Sequence, residues 1–150
     1  MGDATSATAT IDAAAADVLT VIADLGAYPQ WANGVTKVVV DETGPDDLPA
    51  VATFTVRQRP ITDTYSLEYT WDVDEHGLGT VSWTLRESTA LKSMDGSYTL
   101  SRAADGTLVR YDLSVSLAVP LAGPLRRMAE KSIVTTALKD LAKRVGEVSA

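Results

Sequence analysis

The spacing of apolar and polar residues changes period along the chain, and each change predicts an element. Residues Thr5 to Ile11 alternate small and polar groups, the pattern of a first strand. Asp12 then stands as an N-cap for a helix over Ala13 to Leu25, with Val18, Ile22 and Leu25 on one face and Gly26 at its end. Pro29 suits the first turn of a second short helix that carries Trp31 and stops at Asn33-Gly34. From Val35 the period becomes two, and turn residues cut the chain into six further strands near 35–42, 50–59, 61–74, 79–88, 92–103 and 107–119. Their breaks are the acidic loop DETGPDD, the kink at Arg59-Pro60, the turn at His76-Gly77, a looser joint from Ser88 to Leu91, and the hairpin signal Asp105-Gly106.

Alternation also assigns faces. Tyr65, Leu67, Tyr69, Trp71 and Val73 share one side of their strand with Ile61, while Thr62, Thr64, Ser66, Glu68, Thr70 and Asp72 take the other. The next strands add Val81, Trp83 and Leu85, then Met94, Tyr98 and Leu100, then Val109, Tyr111, Leu113, Val115 and Leu117 to the covered side. Pro120 ends the last strand and Pro124 opens a long helix over Leu125 to Val148. Its residues Leu125, Met128, Ala129, Ile133, Ala137, Leu141, Val145 and Val148 recur at threes and fours, as a helix laid on a sheet requires. The expected class is α+β, a seven-stranded curved antiparallel sheet around a long C-terminal helix with two short helices after strand 1. No repeat, linker or shift of composition divides residues 1–150, so one domain is expected.

Composition narrows the chemistry. The chain is 45% hydrophobic and 22% charged, with a net charge of −7 and a pI near 4.6. Such acidity repels phosphate backbones and removes nucleic acid as the default partner. No Cys is present, so there is no disulfide framework, thiolate nucleophile or Cys-bound zinc, and a single His rules out any site needing two imidazoles. No apolar run approaches the ~20 residues of a transmembrane helix, and the opening MGDATSATAT lacks the features of a signal peptide, so a cytoplasmic address is expected. Phosphate-binding glycine loops, Gly-x-Ser-x-Gly and His-Glu-x-x-His are absent, so no motif announces catalysis and no metal or cofactor is implied.

The order of elements, the segment DLGAYPQWANGV at Asp24 to Val35, the DGSY at Asp95 to Tyr98 and the closing strand VRYDLSVSLAVPL before an amphipathic helix resemble the START-like superfamily. Within it the chain resembles the bacterial polyketide cyclase/dehydrase and coenzyme-Q-binding type, over essentially its whole length. The resemblance implies a helix-grip fold of the START/Bet v 1-like kind. It also implies a deep apolar cavity between sheet and long helix for a lipid, polyketide, isoprenoid or other hydrophobic molecule. Binding or transport of such a ligand is the first expectation. A polyketide cyclase or aromatase working by aldol condensation and dehydration is the second, and an interaction protein related to coenzyme-Q-binding proteins the third. Homodimerisation stays open.

A curved sheet cannot meet a straight helix evenly, so a gap remains unless large side chains fill it. A dry void of ~300 Å³, the small end of ligand pockets, costs on the order of 7 kcal/mol, which rivals the stability of a domain. The interior is therefore expected to be small, or relieved by water, by a ligand or by polar lining such as Asp63, Ser132, Thr136 and the hydroxyls of Tyr65, Tyr69, Tyr98 and Tyr111. Candidate ligand contacts, chosen by face, are Trp31, Phe54, Asp63, Tyr65, Tyr69, Trp71, Trp83, Tyr98, Tyr111, Met128 and Ser132. Several carry two readings. Trp31 and Tyr28 gate the mouth or plug a corner; Trp71 and Trp83 form an aromatic wall or ordinary core. Asp63, on an apolar face, is either an internal acid or base or a solvated strand end. His76 and the acidic Asp41, Glu42, Asp46 and Asp47 read as solvated turns. On the last helix, Arg126 with Glu130, Asp140 with Arg144 and Lys143 with Glu147 are spaced as exposed ion pairs.

Overall fold

The computed structural model describes residues 4–58, 61–118 and 123–149. Strand β1 (Thr5–Ile11) leads into α1 (Ala15–Ala23), a single 3₁₀ turn (Leu25–Ala27) and α2 (Tyr28–Trp31). Strands β2 (Val35–Thr43), β3 (Pro49–Gln58), β4 (Ile61–Val73), β5 (Gly79–Glu87), β6 (Leu91–Ala103) and β7 (Gly106–Leu117) follow, then helix α3 (Gly123–Ser149). All seven strands form one antiparallel sheet in the order β1-β7-β6-β5-β4-β3-β2. Strands β2 to β7 pair with their sequence neighbours, and the single crossover, through α1 and α2, carries the chain from one sheet edge to the other. The expected α+β helix-grip arrangement is the one observed. The kink at Arg59-Pro60 lies outside the described residues.

The first helix starts later than its sequence signals suggest. Its N-cap is Ala14, with no side-chain cap, and Asp12 is exposed. The delay comes from a corner: the Ala13 N–H donates to the Ile11 carbonyl at 2.8 Å, and buried Thr107 donates through Oγ1 to the Ala13 carbonyl at 2.7 Å. Gly106 makes the corner passable. At φ 138°, its missing Cβ would stand 2.1 Å from the Ile11 carbonyl oxygen. The helix ends at Asp24 and not at Gly26, because Asp24 leaves helical geometry at ψ 70°. Val18, Ile22 and Leu25 are buried together as their spacing predicts.

Helix α3 is rotated from the expected phase. Val134, Leu138, Leu141 and Val145 form its buried stripe, while Leu125, Met128 and Val148 are 54%, 68% and 53% exposed. Glu130 lies on this stripe, buried and not part of a solvated pair. Its Oε1 accepts from Thr5 Oγ1 and its Oε2 from the Val115 N–H, both at 2.8 Å. One carboxylate thus ties α3 to the edge pair β1 and β7, and α3 packs on these strands and on α1. Among the described residues, none of the three expected i, i+4 ion pairs forms on this helix.

Asp63 is a turn-closing group. It accepts hydrogen bonds from the side chains of Ser88 and Thr89 and, at 3.4 Å, from the Ala90 N–H, so it ties β4 to the β5–β6 connection. Burial alone would raise its pKa, but these hydrogen bonds outweigh burial and hold it below the usual carboxylate range. His76 sits in an exposed turn held by the Asp74 carboxylate, as expected.

Replacing Glu130 by Ala leaves the Val115 N–H without its partner and should lower stability by about 3 kcal/mol. That corresponds to a fall in Tm of roughly 6–12 °C, measurable by calorimetry; an unchanged Tm would contradict the anchoring role. Asp63→Asn should cost about 1 kcal/mol at neutral pH, kept low by solvent screening. Because the folded-state pKa is depressed, this contribution is complete above the unfolded value near 4 and disappears as pH falls through the lower folded value. Urea denaturation of both proteins across pH 2–7 should therefore give curves that converge only in acid.

Candidate functional site

Helix α3 packs on β1 and β7 and α2 on β2 at the opposite edge, so the strands between them are covered less closely. There a cavity of about 120 Å³ opens between α3, α2 and β3 to β7. Strand alternation and register supply its floor. Phe54 of β3 stands opposite Tyr65 of β4, Tyr69 opposite Trp83 of β5, and Tyr98 of β6 opposite Tyr111 of β7. All five tyrosines, the single phenylalanine and two of the three tryptophans of the chain line this one space. Their rings form a connected series. Centroids lie 4.9 Å apart for Tyr28 and Trp31, 5.9 Å for Phe54 and Tyr65, 5.8 Å for Tyr69 and Trp83, and 4.7 Å for Tyr98 and Tyr111. Such pairs add about 0.5–1.5 kcal/mol each beyond area burial.

Trp83 depends on a missing side chain. Gly96 faces it across the β5–β6 pair, and a Cβ at Gly96 would stand 2.4 Å from the indole. The glycine of the DGSY segment is therefore the slot in which the Trp83 ring lies, and through it the ring reaches Tyr98 and Tyr111 at 5.4 and 5.6 Å.

The roof comes from α3 as Ile133, Thr136, Ala137 and Asp140, a second face of the helix beside its buried stripe. Tyr28, Trp31, Ala32 and Asn33 close the side next to α2. Two polar links join this side to the roof. The Asn33 N–H donates to Asp140 Oδ2 at 3.0 Å, and Arg144 donates to Gln30 Oε1 at 3.2 Å. Tyr28 donates to the Ile22 carbonyl at 2.5 Å. The hydroxyls of Tyr65, Tyr69, Tyr98 and Tyr111 have no hydrogen-bond partner among the described residues. Burial pushes all five phenols above their ordinary value, and neighbouring groups push further in the same direction, including Asp140 for Tyr98. The tyrosines are therefore neutral donors and acceptors at physiological pH.

Of the residues singled out by sequence, Trp31, Phe54, Tyr65, Tyr69, Trp83, Tyr98 and Tyr111 come together on the lining. Four do not. Met128 and Ser132 are exposed because of the rotated phase of α3, and Asp63 is occupied at the β5–β6 connection. Trp71 stacks on Tyr69 at 5.6 Å but donates its Nε1–H to the Pro49 carbonyl at 2.6 Å, outside the lining. Asp140 and Asn33 were not singled out for the cavity. The helical spacing 133, 136, 137, 140 carries the signal for Asp140, but an i+4 arginine makes that carboxylate read as surface.

A dry void of this size costs about 3 kcal/mol, which a domain of 150 residues tolerates. It is close to the ~150 Å³ that holds one benzene ring. No described helix is long and apolar enough to cross a membrane.

Comparison with known proteins agrees with this geometry. A START superfamily protein from Mycobacterium smegmatis is 19% identical and superposes with a TM-score of 0.87 over 98% of this chain and 99% of that one. The Zhui aromatase/cyclase from Streptomyces sp. R1128 is 16% identical, with a TM-score of 0.73 over 98% and 95%. A STAR-related lipid transfer protein fragment from Xanthomonas axonopodis is 19% identical, with a TM-score of 0.68 over 94% and 84%. At these identities the likeness is one of fold. No curated protein matches the sequence significantly. The profile of the family described as polyketide cyclase/dehydrase and lipid transport matches residues 4–146, and the chain belongs to that family.

Proposed function

We propose that this protein binds a small hydrophobic molecule in the aromatic cavity beneath α3, and that residues 1–150 act as one ligand-binding unit. The observation that carries the reading is the concentration of aromatic side chains, every tyrosine included, around one interior space. Rings packed only for stability need no free hydroxyls, yet four phenols here keep theirs unpaired. Their oxygens border space that a water-sized group reaches, so a polar atom of a guest can take the place of water on them. A guest with an apolar body and one or two polar atoms fills the void and bonds to them. Family membership supports the same reading, since its description joins lipid transport to polyketide chemistry. The expected contacts are Trp31, Phe54, Tyr65, Tyr69, Trp83, Tyr98 and Tyr111, with Thr136 and Asp140 above them.

A second reading is a cyclase or dehydrase acting on a polyketide chain. It rests on the Asp140 carboxylate sharing one lining with protonated phenols, which gives a proton acceptor and several donors within one enclosure.

Native mass spectrometry of protein purified from its host, with organic extraction of the bound fraction, tests the first reading. A stoichiometric small hydrophobic molecule is expected, and saturating guest should raise the Tm by roughly 5–10 °C at a hundredfold excess over Kd. Gly96→Val should drive the Trp83 indole into the cavity, abolish uptake and leave the far-ultraviolet circular dichroism unchanged. Uptake undiminished in that variant, or no guest from any source, would reject the site. Turnover of an offered polyketide, lost in Asp140→Asn, would favour the second reading.

A further inference from the structure

Charge distinguishes this cavity among apolar interiors. Among the described residues its lining holds no Lys, Arg or His, and its one ionisable group besides the phenols is the Asp140 carboxylate. Oδ2 of Asp140 accepts the Asn33 N–H, whereas Oδ1 has no hydrogen-bond partner among the described residues. Arg144, one turn farther along α3, is engaged with Gln30 and lies beyond ion-pair distance of Asp140.

A half-buried carboxylate without a counter-charge, set at the edge of an aromatic enclosure, gives the space a negative potential. The rings add to it, since the faces of Tyr and Trp carry the negative side of the ring quadrupole. The four unpaired phenol oxygens accept hydrogen bonds as readily as their protons donate them. An anionic guest therefore meets Asp140 and finds no cation. A neutral hydrocarbon gains burial alone, and an organic cation gains burial, ring faces and a carboxylate together.

We propose that the cavity selects a small organic cation, an ammonium group carried on an apolar or aromatic body, with Asp140 as its counter-charge and Tyr98, Tyr111 and Trp83 among its walls. The space, near the size that holds one benzene ring, takes a single-ring body and leaves the ammonium group outside the ring-sized space, at its Asp140 edge. This inference rests on the reading of the cavity as a ligand site and adds to it the sign of the guest.

Calorimetric titration with phenyltrimethylammonium, its neutral isostere tert-butylbenzene and the anion benzoate separates the terms, because the first two differ only by nitrogen for carbon at the branch. The cation should bind at least ~10-fold more tightly than the isostere, and benzoate most weakly. Asp140→Asn keeps an acceptor for the Asn33 N–H. It should weaken the cation by ~10-fold or more while leaving tert-butylbenzene within about 2-fold, which also shows that the cavity is intact. Equal or tighter binding of tert-butylbenzene, or a cation preference that survives Asp140→Asn, overturns the charge selection and leaves the hydrophobic site standing. Failure of both the cation and its isostere to bind removes the site itself.

Discussion

The 27-residue helix α3 packs on one edge pair of a seven-stranded sheet, and the buried carboxylate of Glu130 ties it there to β1 and β7. Everything enclosed follows from that placement. Because α3 is tied to one edge pair by hydrogen bonds to Thr5 and to the Val115 backbone, it cannot settle over the middle of the sheet to fill the hollow there. The hydrophobic stripe of Val134, Leu138, Leu141 and Val145 then packs where Glu130 has set it. The next face of the helix, with Ile133, Thr136, Ala137 and Asp140, hangs over open space. A polar interaction and an apolar stripe together set the place of the helix, and the cavity lies beside both.

The lining shows how register turns sequence into a surface. Tyrosines and tryptophans scattered from position 28 to position 111 converge because each occupies an inward position on its strand or on α2, and because cross-strand partners stand directly opposite. Gly96 is part of the same device, since only a residue without Cβ leaves room for the Trp83 ring. The arrangement is dense in rings and sparse in hydrogen bonds. It therefore provides contact area and a few unsaturated polar atoms, the combination that small-molecule sites use for affinity and orientation.

Much of this was legible in the chain itself. Period-two alternation with Gly, Pro and Asp at the breaks located all seven strands, and it put Val81, Trp83, Tyr98, Tyr111 and their neighbours on the covered side. The long helix was legible as an element but not in its phase. Leu125, Met128 and Val148 extend the apolar repeat and are exposed, while Glu130, a charged residue, is buried. Hydropathy ranks side chains by transfer energy, and a carboxylate with two hydrogen-bond donors waiting for it at a sheet edge escapes that ranking. Asp12 failed as a cap for a similar reason, because the corner made by Thr107 and Gly106 is assembled from distant sequence. Asp63 reads as a charge on an apolar face until the β5–β6 connection brings Ser88, Thr89 and Ala90 to it.

Since every tyrosine borders the cavity, the tyrosines themselves are the most direct reporters of a guest. Fluorine NMR of protein labelled with 3-fluorotyrosine, titrated with toluene as a ring-sized probe, observes all five at once. An occupied interior predicts saturable shifts of the Tyr65, Tyr69, Tyr98 and Tyr111 resonances to a common one-to-one endpoint. Five resonances that stay in place up to the solubility limit of toluene would contradict the account.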